Sequence, residues 1–272
     1  MKKLGIGVFL SVFIGVVVLP FGWVLWSSLK TGEKILGAPW ELPSDPQWQN
    51  FANAWQKAGI GTSFINSLLV TLASLIILVP ISAMAAYVFA KYPFKGSKLI
   101  QSVFMGQMMV PHFLVIVPLF FLLRDFHMLD SLWGLTVVYV AYSLSFTIFV
   151  LGGFFHALPN ELMEAALLDG CTHSSTFWKV MLPLAKPGLL VVAIFVGIGL
   201  WNEYSLALVI VPSPEKKTLP LGIANLTMTQ QYQSDWGALF AGLVIVMAPV
   251  LIVYWLFRDK IHEAMLAGAV KG

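Results

Sequence analysis

The longest charge-free interval of the chain is AGIGTSFINSLLVTLASLIILVPISAMAAYVFA, residues 58–90. An α-helix rises about 1.5 Å per residue, so roughly 20 apolar residues cross the hydrocarbon core of a bilayer. A charged side chain inside that core costs several kcal/mol. This interval is therefore predicted to be a transmembrane helix, and the positions of the other charges map the remaining spans.

Five further intervals are long and apolar enough to cross a membrane. They cover residues 4–29, 99–123, 131–160, 189–211 and 236–257, and only the fourth contains a charge, that of Glu203. Charged residues make up 11% and hydrophobic residues 58% of the 272 residues, whereas about a quarter of a soluble domain is charged. We predict an all-α integral membrane protein with six transmembrane helices, which excludes an ordinary water-soluble enzyme.

The distribution of lysine and arginine predicts the orientation, because positively charged loops resist translocation. With the N-terminus inside, ten of the 16 Lys and Arg residues lie on the inner side and six on the outer side. The strongest local signal is KYPFKGSK, residues 91–98, a short inner loop with three lysines and no acid. Both termini are predicted to be cytoplasmic.

The predicted outer loop, residues 31–61, contains a candidate interfacial helix. Asp45 is placed to cap a helix with Pro46 in its first turn. Trp48, Phe51, Ala52 and Trp55 then recur at helical spacing on one face. The face has two interpretations, anchoring of the tryptophans at the lipid headgroups or docking of an outer partner.

The predicted inner loop between spans four and five, residues 156–187, is long for a connection between membrane helices, and long loops usually have a function. Pro159 and Asn160 can start a short helix that runs from about Glu161 to Asp169, and Gly170 can end it in the left-handed conformation. A second helix is predicted to begin near Thr172 or Ser174 and to stop before Pro183. Together the two helices are expected to expose apolar side chains to water, namely Met163, Leu167, Leu168, Phe177 and Trp178. They either dock on a partner or form an amphipathic hairpin on the bundle itself or on the lipid surface.

Motifs for catalysis, nucleotide binding and metal binding are missing from the sequence. There is no phosphate-binding loop of the G-x-x-x-x-G-K-[S/T] type, no HExxH pair and no G-x-S-x-G elbow. The single cysteine, Cys171, excludes a disulfide framework and a cysteine-built metal site. With a net charge of +3 and no long basic run, no nucleic-acid partner is expected. We therefore expect no catalytic residue and no metal site.

The inner loop carries a spaced motif. It consists of Glu164-Ala165-Ala166, three residues, Gly170, nine residues, Val180, one residue and Leu182-Pro183. This pattern resembles the EAA loop of ATP-binding-cassette importer permeases, with Val180 where that family usually has Ile. The similarity to the carbohydrate branch, the companion permeases of maltose-type importers, extends from about Leu19 to Gly272. It includes NSLLVTLAS in span two, PHFLVIVPLF in span three, WNEYSLAL in span five and LAGAVKG at the C-terminus.

The resemblance implies a type I importer permease fold in a bacterial inner membrane, with helix one at residues 1–30, an extracytoplasmic loop at 31–61 and a permease core at 62–272. Residues 156–187 would be the coupling loop, with the coupling residues Glu164, Ala165, Ala166, Asp169, Gly170, Leu182 and Pro183. The implied partners are a companion permease, two cytoplasmic ATP-binding subunits, an extracytoplasmic solute-binding protein, a sugar and the membrane lipid. The chain itself is expected to be non-catalytic and to bind no cofactor, because ATP and Mg belong to the ATPase subunits.

A polar patch in span five is the candidate substrate pathway. On a continuous helix, Asn202, Glu203 and Ser205 share one face with Gly199 and Leu206. An acid within a membrane usually pairs or lines a water-filled path. Glu203 therefore has two interpretations. It either bonds sugar hydroxyls in the pathway together with Asn202, or makes a structural hydrogen bond to the companion subunit or caps a helix break.

Two other functional classes stay open at this point. A permease for another solute, such as a polyamine or a phosphonate, would keep the EAA loop but would not share the WNEY and GAVKG similarities. A self-contained channel or membrane enzyme would need neither the loop nor an ATPase.

The orientation is testable through Cys171, which the predicted topology places in the cytoplasmic loop. A membrane-impermeant maleimide should fail to label Cys171 in intact cells and should label it in inside-out vesicles. Labelling from the outside would contradict the predicted orientation. Absence of labelling in both preparations would indicate that a bound ATPase subunit shields the thiol.

Overall fold

The computed structural model describes residues 2–229 and 235–269, and within these ranges it is helical without any strand. The C-terminal motif LAGAVKG lies partly outside the described residues. The α-helices are Lys2–Ser27, Gly32–Gly37, Gln49–Ala52, Ile60–Lys91, Ser97–Met109, His112–Asp125, Leu132–Ala157, Asn160–Leu168, His173–Thr176, Leu182–Leu184, Lys186–Trp201, Ser205–Ile210, Leu219–Thr229 and Trp236–Ala269. Two π-helical turns, Asn53–Lys57 and Phe177–Met181, and one 3₁₀ turn, Pro214–Lys216, complete the described elements.

The predicted all-α membrane architecture is confirmed. Among the described residues, four continuous segments are long and apolar enough to cross a bilayer. Two bent helix pairs bring the number to six if each pair is one span, namely Ser97–Met109 with His112–Asp125 and His173–Leu184 with Lys186–Trp201. We number the spans in chain order. Spans one, two, four and six are the helices Lys2–Ser27, Ile60–Lys91, Leu132–Ala157 and Trp236–Ala269.

Span three differs from the predicted continuous helix over residues 99–123. It consists of Ser97–Met109 and His112–Asp125, which meet at an angle of 103°. The break falls at Val110, which has extended backbone angles, directly before Pro111. A residue that precedes proline is disfavoured in the α conformation, so the sequence VP explains the position of the bend. Span five is also broken: the helix Lys186–Trp201 ends at Asn202, and Ser205–Ile210 is a separate short helix.

The described chain divides into two compact units, one of residues 1–65 and 218–251 and the other of residues 66–217 and 252–272. In the first unit, buried polar groups hold the loop of residues 31–61, which the sequence predicts to be the outer loop. Lys30 is 2% exposed, and its ammonium group donates to the carbonyl oxygens of Ala38 and Pro39 at 2.9 and 3.1 Å. The Asn50 amide donates to the carbonyl oxygens of Ser28 and Lys30. The loop is thus folded back on the end of span one.

The predicted interfacial helix is present but begins later than expected. It runs over Gln49–Ala52 and continues into the π-helical turn Asn53–Lys57. The prediction that Asp45 caps it is wrong, because the Asp45 carboxylate accepts from the side-chain amide of Gln47 at 2.9 Å. Trp48 is 69% exposed, whereas Ala54 packs with Ala238 and Ala241. Both interpretations of the exposed tryptophan face stay open.

The second unit is built around span four. Its fully buried side chains include Leu135, Tyr139, Leu151 and Phe155, and its helix packs against Lys186–Trp201. Close approach is permitted by Gly188, where an added Cβ would lie 2.5 Å from the ring of Phe154.

The turn that precedes span four is tied to the segment after the short helix Ser205–Ile210. The Asp130 carboxylate accepts from the hydroxyl and backbone N–H of Ser213 and forms an ion pair with Lys216 at 2.9 Å. Hydrogen bonds from Ser213 and Lys216 hold the pKa of Asp130 below its usual value. The Asn66 side-chain amide binds the same segment by donating to the carbonyl oxygens of Glu215 and Lys217.

Gly134, in the first turn of span four, offers a test of this packing. A Cβ at this position would clash with the carbonyl oxygen of Met128. Gly134→Ala should therefore lower the stability of the purified protein by about 1–3 kcal/mol, the usual cost of overpacking. Gly153→Ala in the same helix is the matched control, because no atom lies within 4 Å of its added Cβ. Equal melting temperatures for the two variants would contradict the packing at this turn.

Candidate functional site

The first half of the loop between spans four and five is a helix with a complete C-terminal cap. The helix Asn160–Leu168 begins after Pro159, as predicted. Gly170 has a φ of +86°, also as predicted, and donates its N–H to the Leu167 carbonyl at 3.1 Å. The Cys171 N–H donates to the Ala166 carbonyl at 3.0 Å. These two bonds form a Schellman motif, which satisfies the last carbonyls of the helix and reverses the chain.

The second half is longer than predicted. The Thr172 hydroxyl accepts from the Ser175 N–H at 3.2 Å, which confirms the predicted start. Helical structure then continues through the π-helical turn Phe177–Met181 to Leu184, so the prediction that it stops before Pro183 is wrong. Phe177 and Met181 are buried, and this packing keeps the stretch helical up to the 71° bend that leads into Lys186–Trp201.

The exposure of the loop is uneven. Leu168 is 88% and Trp178 49% exposed, in agreement with the expected apolar surface. Met163 and Leu167 are half-buried, and Phe177 is 5% exposed, so the expectation for Phe177 is wrong. Phe177 instead packs on Tyr87, with ring centroids 5.1 Å apart.

The residues of the EAA-like motif also differ in exposure, some being buried and others exposed. Ala166 is buried and anchors the first helix. The exposed members are Glu164, Ala165, Asp169, Gly170 and Pro183, and Leu182 is half-buried. Within the described part of the chain, the Glu164 carboxylate has no hydrogen bond or ion pair. The loop therefore presents a carboxylate and two large apolar side chains on a rigid frame.

Glu203 lies in the break of span five and caps the short helix that follows. Its carboxylate accepts from the backbone N–H groups of Leu206 and Ala207 at 2.7 and 3.0 Å. The Tyr139 hydroxyl donates to the same carboxylate at 2.7 Å. Such a cap satisfies peptide N–H groups that have no partner within the helix. Of the two interpretations, the geometry matches the capped helix break.

The shared face that the sequence predicted for span five does not exist, because the helix ends at Trp201. Asn202 is exposed and donates to the Ile198 carbonyl at 2.8 Å, while its amide oxygen is without a partner among the described residues. Ser205 is half-buried in the first turn of the short helix. Asn202 and Ser205 stay candidate pathway residues, whereas both carboxylate oxygens of Glu203 are engaged within the chain.

Two residues of the site were missed by the sequence analysis. Lys91, considered only for orientation, donates to the Leu158 carbonyl and to the Asn160 side chain. Tyr139 appeared only as one apolar residue of span four. Their roles depend on partners more than 60 residues away, with separations of 69 for Lys91 and Asn160 and 64 for Tyr139 and Glu203. No local pattern could have indicated these contacts.

An all-helical chain with spans of this length and a structured loop between spans four and five has the architecture of a membrane permease subunit. A family model described as a binding-protein-dependent transport system inner membrane component matches residues 78–259. The chain belongs to this family and is a multi-pass inner-membrane transport subunit.

Relatives extend the match over nearly the whole chain. The diacetylchitobiose uptake system permease protein NgcG of Streptomyces coelicolor is 42% identical, over 94% of this chain and 85% of the relative. The trehalose transport system permease protein SugB of Mycobacterium tuberculosis is 32% identical, over 96% of this chain and 95% of the relative.

The fold is also similar to that of a solved structure. A crystal structure of a bacterial ABC transporter involved in the import of the polysaccharide alginate matches with a TM-score of 0.79 at 24% identity. The match covers 95% of this chain and 96% of the chain in that structure. This likeness confirms the predicted importer permease fold.

The capping role of Glu203 predicts a stability effect. Glu203→Ala leaves two peptide N–H groups and the buried Tyr139 hydroxyl without acceptors, which should destabilise the protein by about 1–3 kcal/mol. Glu203→Gln keeps one carbonyl oxygen and should lose less, and Tyr139→Phe should leave the cap in place. Melting temperatures of the purified complexes measure this order. If Glu203→Ala has unchanged stability but has lost transport, Glu203 is a pathway residue and not a structural cap.

Proposed function

We propose that the chain is one of two permease subunits of an ATP-driven sugar importer that receives its solute from an extracytoplasmic binding protein. The family assignment supports the dependence on a binding protein. The companion permease, which would complete the translocation pathway, and the two cytoplasmic ATPase subunits are part of the proposal. ATP and Mg would be bound by the ATPase subunits.

The relatives support a sugar as the solute. Two of the permeases that match this chain over more than nine-tenths of its length are named for diacetylchitobiose and for trehalose uptake. Both solutes are neutral disaccharides rather than polyamines or phosphonates. A neutral disaccharide is therefore the solute class that we propose.

The coupling role is inferred from the exposed side chains of the loop of residues 156–187. Leu168 and Trp178 are exposed and Glu164 has an exposed carboxylate, on a loop whose interior is packed and capped. An apolar surface with a charged group at its edge is the composition expected of a docking site. Closure of an ATP-bound ATPase dimer would displace this loop and shift the helices from an inward-open to an outward-open arrangement.

Within the membrane, Asn202 and Ser205 are the proposed solute contacts. The unpartnered amide oxygen of Asn202 can accept from a sugar hydroxyl, and the Ser205 hydroxyl can donate or accept. Glu203 would act indirectly, by holding the break that presents Asn202.

Reconstitution tests the function directly. The permease, its companion, the ATPase and the binding protein are placed in proteoliposomes, and the stimulation of ATP hydrolysis is measured across a panel of disaccharides, polyamines and phosphonates. Stimulation and uptake with at least one disaccharide are expected. Stimulation by a polyamine or phosphonate alone would contradict the sugar assignment, and ATP-independent flux through the purified chain would indicate a self-contained channel.

The loop itself is tested by Glu164→Lys and Gly170→Val. Glu164→Lys reverses an exposed charge at the proposed contact, where loss of one partner of a buried charge pair costs about 2–5 kcal/mol. Gly170→Val imposes strain because a β-branched residue disfavours the φ of +86°. Both variants should abolish ATP-driven uptake while the companion permease still binds, and copurified ATPase or its response to the loaded binding protein should fall.

Two controls accompany these variants. Gly170→Asn tolerates a positive φ and has open space around its Cβ, so it should transport much better than Gly170→Val. Glu41→Lys reverses an exposed charge in the predicted outer loop and should keep the ATPase bound. Normal uptake by both Glu164→Lys and Gly170→Val would remove this loop as the coupling element.

A further inference from the structure

Lys91, the last residue of span two, is a buried cation held by neutral oxygens. It is 8% exposed, and its ammonium group donates to the Leu158 carbonyl oxygen at 2.5 Å and to Asn160 Oδ1 at 2.8 Å. No carboxylate forms an ion pair with it among the residues that the structure describes, although the exposed carboxylate of Glu161, next to Asn160, is near enough to attract its charge. A charge buried in this way loses hydration, which the two hydrogen bonds offset only in part.

The two acceptors lie on either side of Pro159, where the coupling loop begins. Pro159 has a φ of −60° and an extended ψ, so it sets the direction in which the helix Asn160–Leu168 leaves span four. Because Lys91 binds the residue before and the residue after this turn, it fixes the position of the first helical turn relative to the end of span two.

The same end of span two holds the second half of the loop by different contacts. The Tyr87 ring lies 5.1 Å from that of Phe177, and the Tyr92 hydroxyl lies 2.8 Å from His173 Nδ1. Both halves of the loop are therefore attached to one helix end, the first through Lys91 and the second through the two tyrosines. A displacement of the loop must either break these contacts or move span two.

We propose that Lys91 is the positioning residue that transmits movement of the coupling loop to span two. This inference rests on the proposed function. A buried ammonium bound to neutral acceptors contributes little to the stability of the fold, since an apolar side chain of similar size avoids the cost of desolvation. Its directional hydrogen bonds instead specify one geometry between the loop and the span.

The test uses the complete reconstituted complex with Lys91→Met, which keeps most of the length of the side chain and removes its three donors. Asn160→Ala removes only one of the two acceptors and leaves Lys91 bound to Leu158. Lys95→Met is the matched control, because Lys95 is exposed in the same loop. The readouts are sugar imported per ATP hydrolysed, the response of ATP hydrolysis to the loaded binding protein, and the yield of assembled complex.

We expect Lys91→Met to lower the sugar imported per ATP about tenfold, which corresponds to ~1.4 kcal/mol, about the contribution of one hydrogen bond to a charged group. Asn160→Ala should lower the same ratio by a smaller factor, and Lys95→Met should leave it unchanged. ATP hydrolysis should continue in all assembled complexes, because the loop surface that meets the ATPase is intact.

Reduced yield or thermal stability with a normal ratio would mean that Lys91 serves only the fold, and it would overturn the inference. If the complex with Lys91→Met fails to assemble, the sugar imported per ATP by Asn160→Ala is the deciding measurement: a lowered ratio supports the inference and a normal ratio overturns it. Normal import per ATP by every variant contradicts this inference alone. Failure of the unaltered complex to import any sugar contradicts the proposed function and, with it, this inference.

Discussion

Lipid offers no hydrogen bonds, so each peptide group of a membrane span needs a partner within the protein. Continuous helices meet this constraint by themselves, but span three is bent at Val110 and span five is interrupted between Trp201 and Ser205. At the second break the Glu203 carboxylate supplies the acceptor for two peptide N–H groups, and the Tyr139 hydroxyl supplies the third donor to that carboxylate. The one acid in the membrane-spanning part of span five is thus explained by the backbone that it satisfies.

The break between Trp201 and Ser205 also determines which polar side chain of span five is exposed. The helix Lys186–Trp201 ends at its C-cap Asn202, which is exposed, and Ser205–Ile210 is a separate short helix. After this helix, Asp130 binds the hydroxyl of Ser213, and Asn66 binds the carbonyl oxygen of Glu215. The polar groups of span five therefore differ in their surroundings: the Glu203 carboxylate is bound within the chain, and the Asn202 amide is exposed.

The loop of residues 156–187, for which we propose the coupling role, satisfies its own backbone groups in the same way. Its first helix is closed by the Schellman motif at Gly170, its second begins at the Thr172 cap, and its interior faces are filled by Ala166 and Phe177. What remains on the surface, Leu168, Trp178 and Glu164, is free to meet another subunit. A loop that is rigid and attached through Lys91 and the tyrosines of span two can pass on a displacement, whereas a flexible loop would absorb it.

The sequence alone determined the all-α membrane class, the two helices of the loop of residues 156–187 and the family resemblance, because charge spacing, Pro159 and Gly170 act through neighbouring residues. The tertiary structure decided where spans are broken, that Phe177 is buried rather than exposed, and that Glu203 caps a helix. It also decided the role of Lys91, which in the sequence is one of three lysines in an inner loop. Hydropathy and helical periodicity register local composition, but the partners of Glu203 and Lys91 lie 64 and 69 residues away, and only the packed helices bring them together.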